Sequence, residues 1–325
     1  MQKVLAWVVL FVALSGGASH AQQREMRVGW LMTWANGPFS DLTNRSFEQG
    51  LREAGFVEGK NLVLLRRSAN GDSSQFPALA RDLARQDVRV IFAPSKPMAD
   101  AAWYASRKIP TVIATVADPV AVQYVRSLAR PGGHITGVTT ASAELTAKRL
   151  ELLREAVPGT TRVAVLFDQR LYESCQVELT VLEAAAKKLG LTLIRVSASN
   201  ASEMEGAFAR MVEAKVQSVI VPLTTSTVEA SPVIARLAQK YRLPVMHEIS
   251  DFASVGGFIT YGPDFGDIYR RAGHYVARIL NGEKPAEMAM EEPAKFRLTV
   301  NLNVARALGI VVPPSVLVRA DEVIE

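Results

Sequence analysis

The chain of 325 residues has a single cysteine, Cys175. No internal disulfide can form, so core packing alone must stabilise it, and Cys175 reads as a small apolar filler on a helix. Histidine is scarce as well, four in all, one of them at position 20 in an N-terminal leader. Such a set is poor material for a metal site, and none is expected. His247-Glu248 opens like a zinc-protease helix, but position 251 is Asp251 and the segment reads as a strand end. Glycine-rich phosphate loops are lacking too. Gly29 falls inside the first strand, and Trp34-Ala35-Asn36-Gly37-Pro38 follows where a dinucleotide enzyme needs its glycines. Gly132 and Gly137 have the spacing of a phosphate loop, but Val138-Thr139 stands in place of Lys-Ser/Thr. No Gly-x-Ser-x-Gly elbow occurs. These absences argue against an enzyme and against a cofactor. The formal net charge is only +5, with Lys and Arg scattered among acids. No basic block carries interleaved aromatics, so nucleic acid is not an expected partner.

Only one long apolar run is present. Val4 to Leu14 follows Lys3, is too short to span a bilayer, and is broken by Ser15-Gly16-Gly17. Ser19-His20-Ala21 places small residues where a signal peptidase reads. The expectation is a signal peptide over residues 1–21, cut after Ala21, and a periplasmic product. With no cysteine near the cut, no lipid anchor is expected.

The rest alternates short β-branched runs with amphipathic stretches. Strands are expected at 27–32, 61–66, 88–93, 111–116, 162–167, 192–197, 218–223, 244–248 and 296–300, with further extended runs at 135–138 and 258–261. Helices are expected at 39–54, 74–85, 98–107, 120–128, 143–156, 173–189, 202–214, 231–241, 267–280 and 302–308. Two successive runs of strand and helix imply an α/β fold of two doubly wound, parallel-sheet lobes. The break Pro131-Gly132-Gly133 between them reads as a hinge. Lobe 1 is placed at 26–133 plus 264–283, and lobe 2 at 138–257 plus 295–325. The chain then crosses between lobes three times, near 131–141, 256–264 and 283–296, which makes a three-stranded hinge.

In open parallel sheets, ligands bind beyond the carboxyl ends of the strands. Those positions are Thr33-Trp34, Ser95-Lys96, Asp118, Asp168, Thr224 and His247-Glu248, joined by Thr139 and Thr140 on the first crossing and by Tyr261 and Asp264 on the second. They are mostly hydroxyls and carboxylates and suit a small hydrogen-bonding ligand. Each has a plainer alternative. Asp118, Thr139 and Thr140 could cap the helices that follow. Trp34 could pack beneath a loop or stack on a ligand. Lys96 could be solvated, Tyr261 could brace a crossing, and His247 and Glu248 could be polar filler.

Five segments carry a resemblance. They are FEQGLREAGFVEGKNLVL at 47–64, ADPVAVQYVRSLARPGGHITGV at 117–138, AKRLELLREAVPGTTRVAVL at 147–166, YGPDFGDIYRRAGHYVARILNGEKPAEM at 261–288 and FRLTVNLNVARALGIVVPPSVLVRADEVIE at 296–325. Together they resemble the bacterial extracytoplasmic substrate-binding proteins of ABC transporters, in particular the TrpX-like group of the type I periplasmic-binding fold. The resemblance covers the whole mature chain. It departs at Ala117, where the family has Gly, and at His134, where it has Asn. It departs again at Asp168-Gln169 and at Pro94-Ser95-Lys96-Pro97, both at strand ends, so these two bear on the ligand more than on the fold.

The resemblance implies a monomeric receptor that closes on a small ligand and docks on an ABC permease. Characterised relatives are similar to binders of aromatic amino acids. An amino acid needs an acid for its ammonium and donors for its carboxylate. Asp118 and Asp264 are candidates for the first, and Thr139, Thr140 and Thr224 for the second. Trp34 or Tyr261 is the candidate platform for a side chain. A periplasmic sensing module for a membrane signalling protein needs the same lobes and is the alternative reading.

Overall fold

A computed structural model of the chain describes residues 25–140, 142–169 and 172–325. The leader expected at 1–21 and the side chain of Cys175 lie outside what it describes.

The first sheet takes β1 (Met26–Met32), β2 (Leu62–Ser68), β3 (Val90–Phe92), β4 (Thr111–Val116) and β5 (Ile135–Thr139) in the order β2-β1-β3-β4-β5, all parallel. Helices α1 (Pro38–Glu53), α2 (Phe76–Ala84) and α3 (Lys96–Ala105) make the crossovers. Parallel strands covered on both faces must be apolar on both, and these are. Val28, Trp30, Val90 and Phe92 enter one core, while Leu31, Ile91 and Ala93 enter another with α2 and α3.

The chain continues through α4 (Ser142–Ala156), β6 (Arg162–Phe167), α5 (Tyr172–Leu189), β7 (Thr192–Ser197), α6 (Ala201–Glu213), β8 (Ser218–Val221), α7 (Thr225–Glu229), α8 (Ser231–Tyr241), β9 (Val245–His247) and α9 (Asp251–Ser254). It ends with β10 (Ile259–Pro263), α10 (Phe265–Leu280), β11 (Phe296–Asn301), α11 (Leu302–Leu308), α12 (Pro314–Leu317) and β12 (Glu322–Ile324). The second sheet has the order β12-β11-β10-β9-β8-β6-β7. It is parallel except where β11 runs back against β10.

Helix α10 returns to the first sheet, packing on α1, β3, β4 and β5. Its buried face carries Phe265, Ile268, Tyr269, Ala272, Tyr275 and Val276. Phe47 stacks on Phe92 at 4.1 Å, and Tyr269 meets Phe92 edge-on at 5.7 Å. Glycines set how close α10 comes. A Cβ at Gly50 would lie 1.9 Å from the Arg270 carbonyl oxygen, and one at Gly273 would lie 2.4 Å from that of Phe47.

The three connections between the sheets are hydrogen-bonded to one another. The Gly132 N–H donates to the Ala286 carbonyl at 3.0 Å, and Gly132 adopts φ +71°. Thr139 N–H donates to Glu291 O at 2.8 Å, and Glu291 N–H donates to Gly137 O at 3.1 Å. Asp264 N–H donates to Lys295 O at 3.1 Å.

The helix expected at 120–128 is not formed; the segment is a series of turns. Gln123 sits at φ +60°, and the Arg126 N–H donates to Pro131 O at 3.0 Å. The chain must double back from β4 to β5 here. Tyr124 and Val125 therefore pack as a loop against Ile113 and Met290 rather than along a helix face.

Candidate ligand-binding cleft

A cavity of about 240 Å³ opens at the carboxyl ends of the first sheet. Met32 ends β1 and Thr33 and Trp34 follow it, Pro94 and Ser95 follow β3, and Thr115 to Asp118 lie at the end of β4. The opposite wall comes from the second sheet's side, with Leu223, Thr224 and Val228 around α7 and Glu178 from α5. Helices close the ends, with Phe39, Ser40, Thr43 and Asn44 at the start of α1, Met98 on α3 and Tyr269 on α10.

Of the residues predicted from sequence, Thr33, Trp34, Ser95, Asp118, Thr140 and Thr224 line this cavity. Asp118 also caps its own turn, where one carboxylate oxygen accepts from the N–H groups of Val120 and Ala121, at 3.1 and 2.8 Å. The Thr224 hydroxyl accepts from Thr227 N–H at 3.2 Å in the capping box of α7. Lys96 reaches the cavity but is held by Asp100 at 2.8 Å. Asp100 also accepts from the Tyr124 hydroxyl. Trp34 Nε1 and Ser95 Oγ are buried with no hydrogen-bond partner among the described residues. An unmet buried donor costs about 1–3 kcal/mol, so these two atoms mark where a ligand acceptor is most rewarded. Burial pushes the pKa of the Tyr269 hydroxyl up.

The other candidates lie elsewhere. Thr139 is buried at the end of β5, and Asp168 is buried after β6. Tyr261 packs beside Phe296, ring centroids 6.5 Å apart. Asp264 caps α10, accepting from Asp267 N–H at 3.0 Å. His247 is fully buried at the end of β9, stacked on Phe252 at 5.1 Å. Next to it, Glu248 meets Arg149 of α4 at 3.3 Å, both side chains at most 1% exposed, and Arg149 also donates to Thr146 Oγ1 at 2.6 Å.

Sequence reasoning missed Phe39, Met98, Glu178 and Tyr269. They sit on helices, where a stripe facing a cavity has the same spacing as one facing the core.

His247 accepts from the Ile249 N–H at 3.2 Å through Nδ1, which places its proton on Nε2. Burial first, and the Arg149 charge second, push its pKa down from 6.5 to about 3. The Thr227 backbone pulls the other way and is the smallest of the three effects. Between pH 6.5 and about 3 the unfolded chain therefore binds a proton that the folded chain refuses. Stability falls as pH drops through that window. His247→Asn, which keeps an acceptor for Ile249, should flatten the decline of Tm with falling pH. An unchanged slope would show that His247 does not stay neutral.

Residues 32–324 match the family of ABC transporter substrate binding proteins. The chain belongs to this family. Its members bind substrates and are not enzymes. A tyrosine-binding protein of Clostridioides difficile (strain R20291) is 24% identical over 273 residues, 84% of this chain and 78% of its own. Among solved structures, a domain from Streptococcus pneumonia in complex with L-Trp is 23% identical with a TM-score of 0.84, covering 92% of this chain and all of its own. A conserved domain protein from Vibrio cholerae is 25% identical with a TM-score of 0.85 and the same coverage. The fold of this substrate-binding protein is that of the type I periplasmic binding proteins, α/β with two parallel-sheet lobes. No helix among the described residues is long and apolar enough to cross a membrane.

Proposed function

We propose that this substrate-binding protein takes up an amino acid with a flat apolar side chain between its two lobes and delivers it to an ABC permease for import. The observation that carries the reading is the cavity itself. Its wall comes from both sheets, so a ligand there bridges them and favours the closed arrangement. Its size, about 240 Å³, lies below the roughly 300–1,000 Å³ of sites for drug-sized ligands and suits an amino acid. Aromatic and thioether side chains (Trp30, Trp34, Phe39, Tyr269, Met32, Met98) supply the apolar walls. Asp118 and Glu178 are the acids that line it, and Trp34 Nε1, Ser95 Oγ and the Thr140 hydroxyl are among its donors. The relatives described as tyrosine-binding and as bound to L-Trp fit this chemistry.

The lobes are residues 26–133 with 264–283, and 138–257 with 295–325. The hydrogen bonds among the connections at 132–139, 264 and 286–295 support a three-stranded hinge around Pro131-Gly132-Gly133. Export through a leader cut after Ala21 places the monomer in the periplasm.

Isothermal titration of refolded, ligand-stripped protein tests the ligand class. Trp, Tyr or Phe should bind with Kd of about 1 μM or tighter, near −8 kcal/mol. Absence of heat with all three, and with Leu and Ile, would exclude an amino acid of this kind.

A further inference from the structure

We infer that Gly71, which does not line the cavity, fixes its shape by holding the Trp34 indole in the wall, and so selects for a flat ligand. This rests on the amino-acid reading above only for the identity of the ligand. Gly71 lies in the turn after β2 at φ +84°, next to Asn70 at φ +48°. The turn is fastened to the backbone just before Trp34, at Met32 and Thr33. Ala69 N–H donates to Met32 O at 2.9 Å, and Gly71 N–H donates to Thr33 O at 3.0 Å. Ser68 Oγ donates to the same Thr33 carbonyl at 3.4 Å.

On this base the indole lies directly over Gly71. A Cβ there would be 2.1 Å from Cζ2, 2.4 Å from Cη2 and 3.1 Å from Cε2 of Trp34, and these are its three nearest neighbours. The missing side chain is therefore the seat of the ring. The seated edge adjoins Nε1, the atom buried without a partner. Gly71 thus positions both the indole that lines the cavity and its one N–H. Any side chain at 71 must turn the ring, because the turn itself is pinned to Thr33. Gly71 is a positioning residue that acts through Trp34.

The test uses the mature protein with 5-fluorotryptophan, the Trp34 fluorine resonance being identified by its loss in Trp34→Phe. In ligand-free Gly71→Ala the Trp34 signal should move and its H2O/D2O isotope shift should grow, while those of Trp30 and Trp103 stay in place. An unmoved Trp34 signal would overturn the inference. Affinity for L-Trp should drop at least 10-fold in Gly71→Ala, yet Gly71→Ala should change nothing further in a Trp34→Ala background. A Gly71 effect that persists there would mean backbone strain rather than ring placement, and would also overturn the inference. If the fluorine signal responds but the wild type ignores aromatic amino acids, the ligand reading fails and the role of Gly71 stands.

Discussion

Replacing Glu248 with alanine should cost the fold about 3–5 kcal/mol and lower Tm by on the order of 10 °C. Arg149 and Glu248 are both at most 1% exposed, so removing the acid strips the buried guanidinium of its 3.3 Å carboxylate partner. Low local polarity makes such a loss far larger than that of a surface ion pair, which is worth about 0–1 kcal/mol. The pair also joins α4 to the end of β9, so the damage falls on the second sheet. Changing both residues together, Arg149→Met with Glu248→Leu, should restore most of the loss, because two apolar groups carry no desolvation cost. Calorimetry of the single and double variants separates the cases. A single variant that melts with the wild type would rule out the ion pair as a support of this lobe.

Gly50→Ala should damage both stability and binding. Its Cβ would lie 1.9 Å from the Arg270 carbonyl oxygen, against the roughly 3.5 Å that non-bonded atoms prefer. The obstacle is backbone, so no side chain can swing aside and α1 must part from α10. Overpacking of this kind costs about 1–3 kcal/mol, visible as a lower urea midpoint. Affinity should fall as well, since α1 brings Phe39, Thr43 and Asn44 to the cavity and α10 brings Tyr269. Gly273→Ala should act alike, and the two should be less than additive, because either one already separates the same helices. A Gly50→Ala variant with wild-type midpoint and affinity would mean that the two helices part at no cost.

Elements that join an uninterrupted apolar run to clear stops were readable from sequence. The strands 162–167 and 192–197 and the helix 231–241 have the ends expected of them. The helix expected at 120–128 failed because apolar spacing records burial, and a loop folded under a core buries residues too. The short helices α7, α9 and α12 left no signal long enough to show a period. In the cleft, the strand-end rule reached Thr33, Trp34, Ser95, Asp118 and Thr224. It could not say that His247 and Asp168, equally at strand ends, are sealed in the second lobe. That depends on how the lobes face each other, which no local pattern encodes. Gly71 was invisible for a related reason: its partner, Trp34, lies on a different strand's loop.

The return of α10 to the first sheet sets an order of assembly. The face bearing Trp30, Phe47 and Phe92 is complete once β4 and α1 exist, but Tyr269 and its helix begin only at residue 265, after most of the second sheet has been made. Until then that aromatic surface lacks the cover of α10. The core of the first sheet is therefore complete only when a segment from beyond most of the second sheet joins it. Its closing contacts are among the most distant in the chain, a topology that slows folding. A nascent chain of this protein cannot complete that core until synthesis has passed Leu280, 280 residues into a chain of 325.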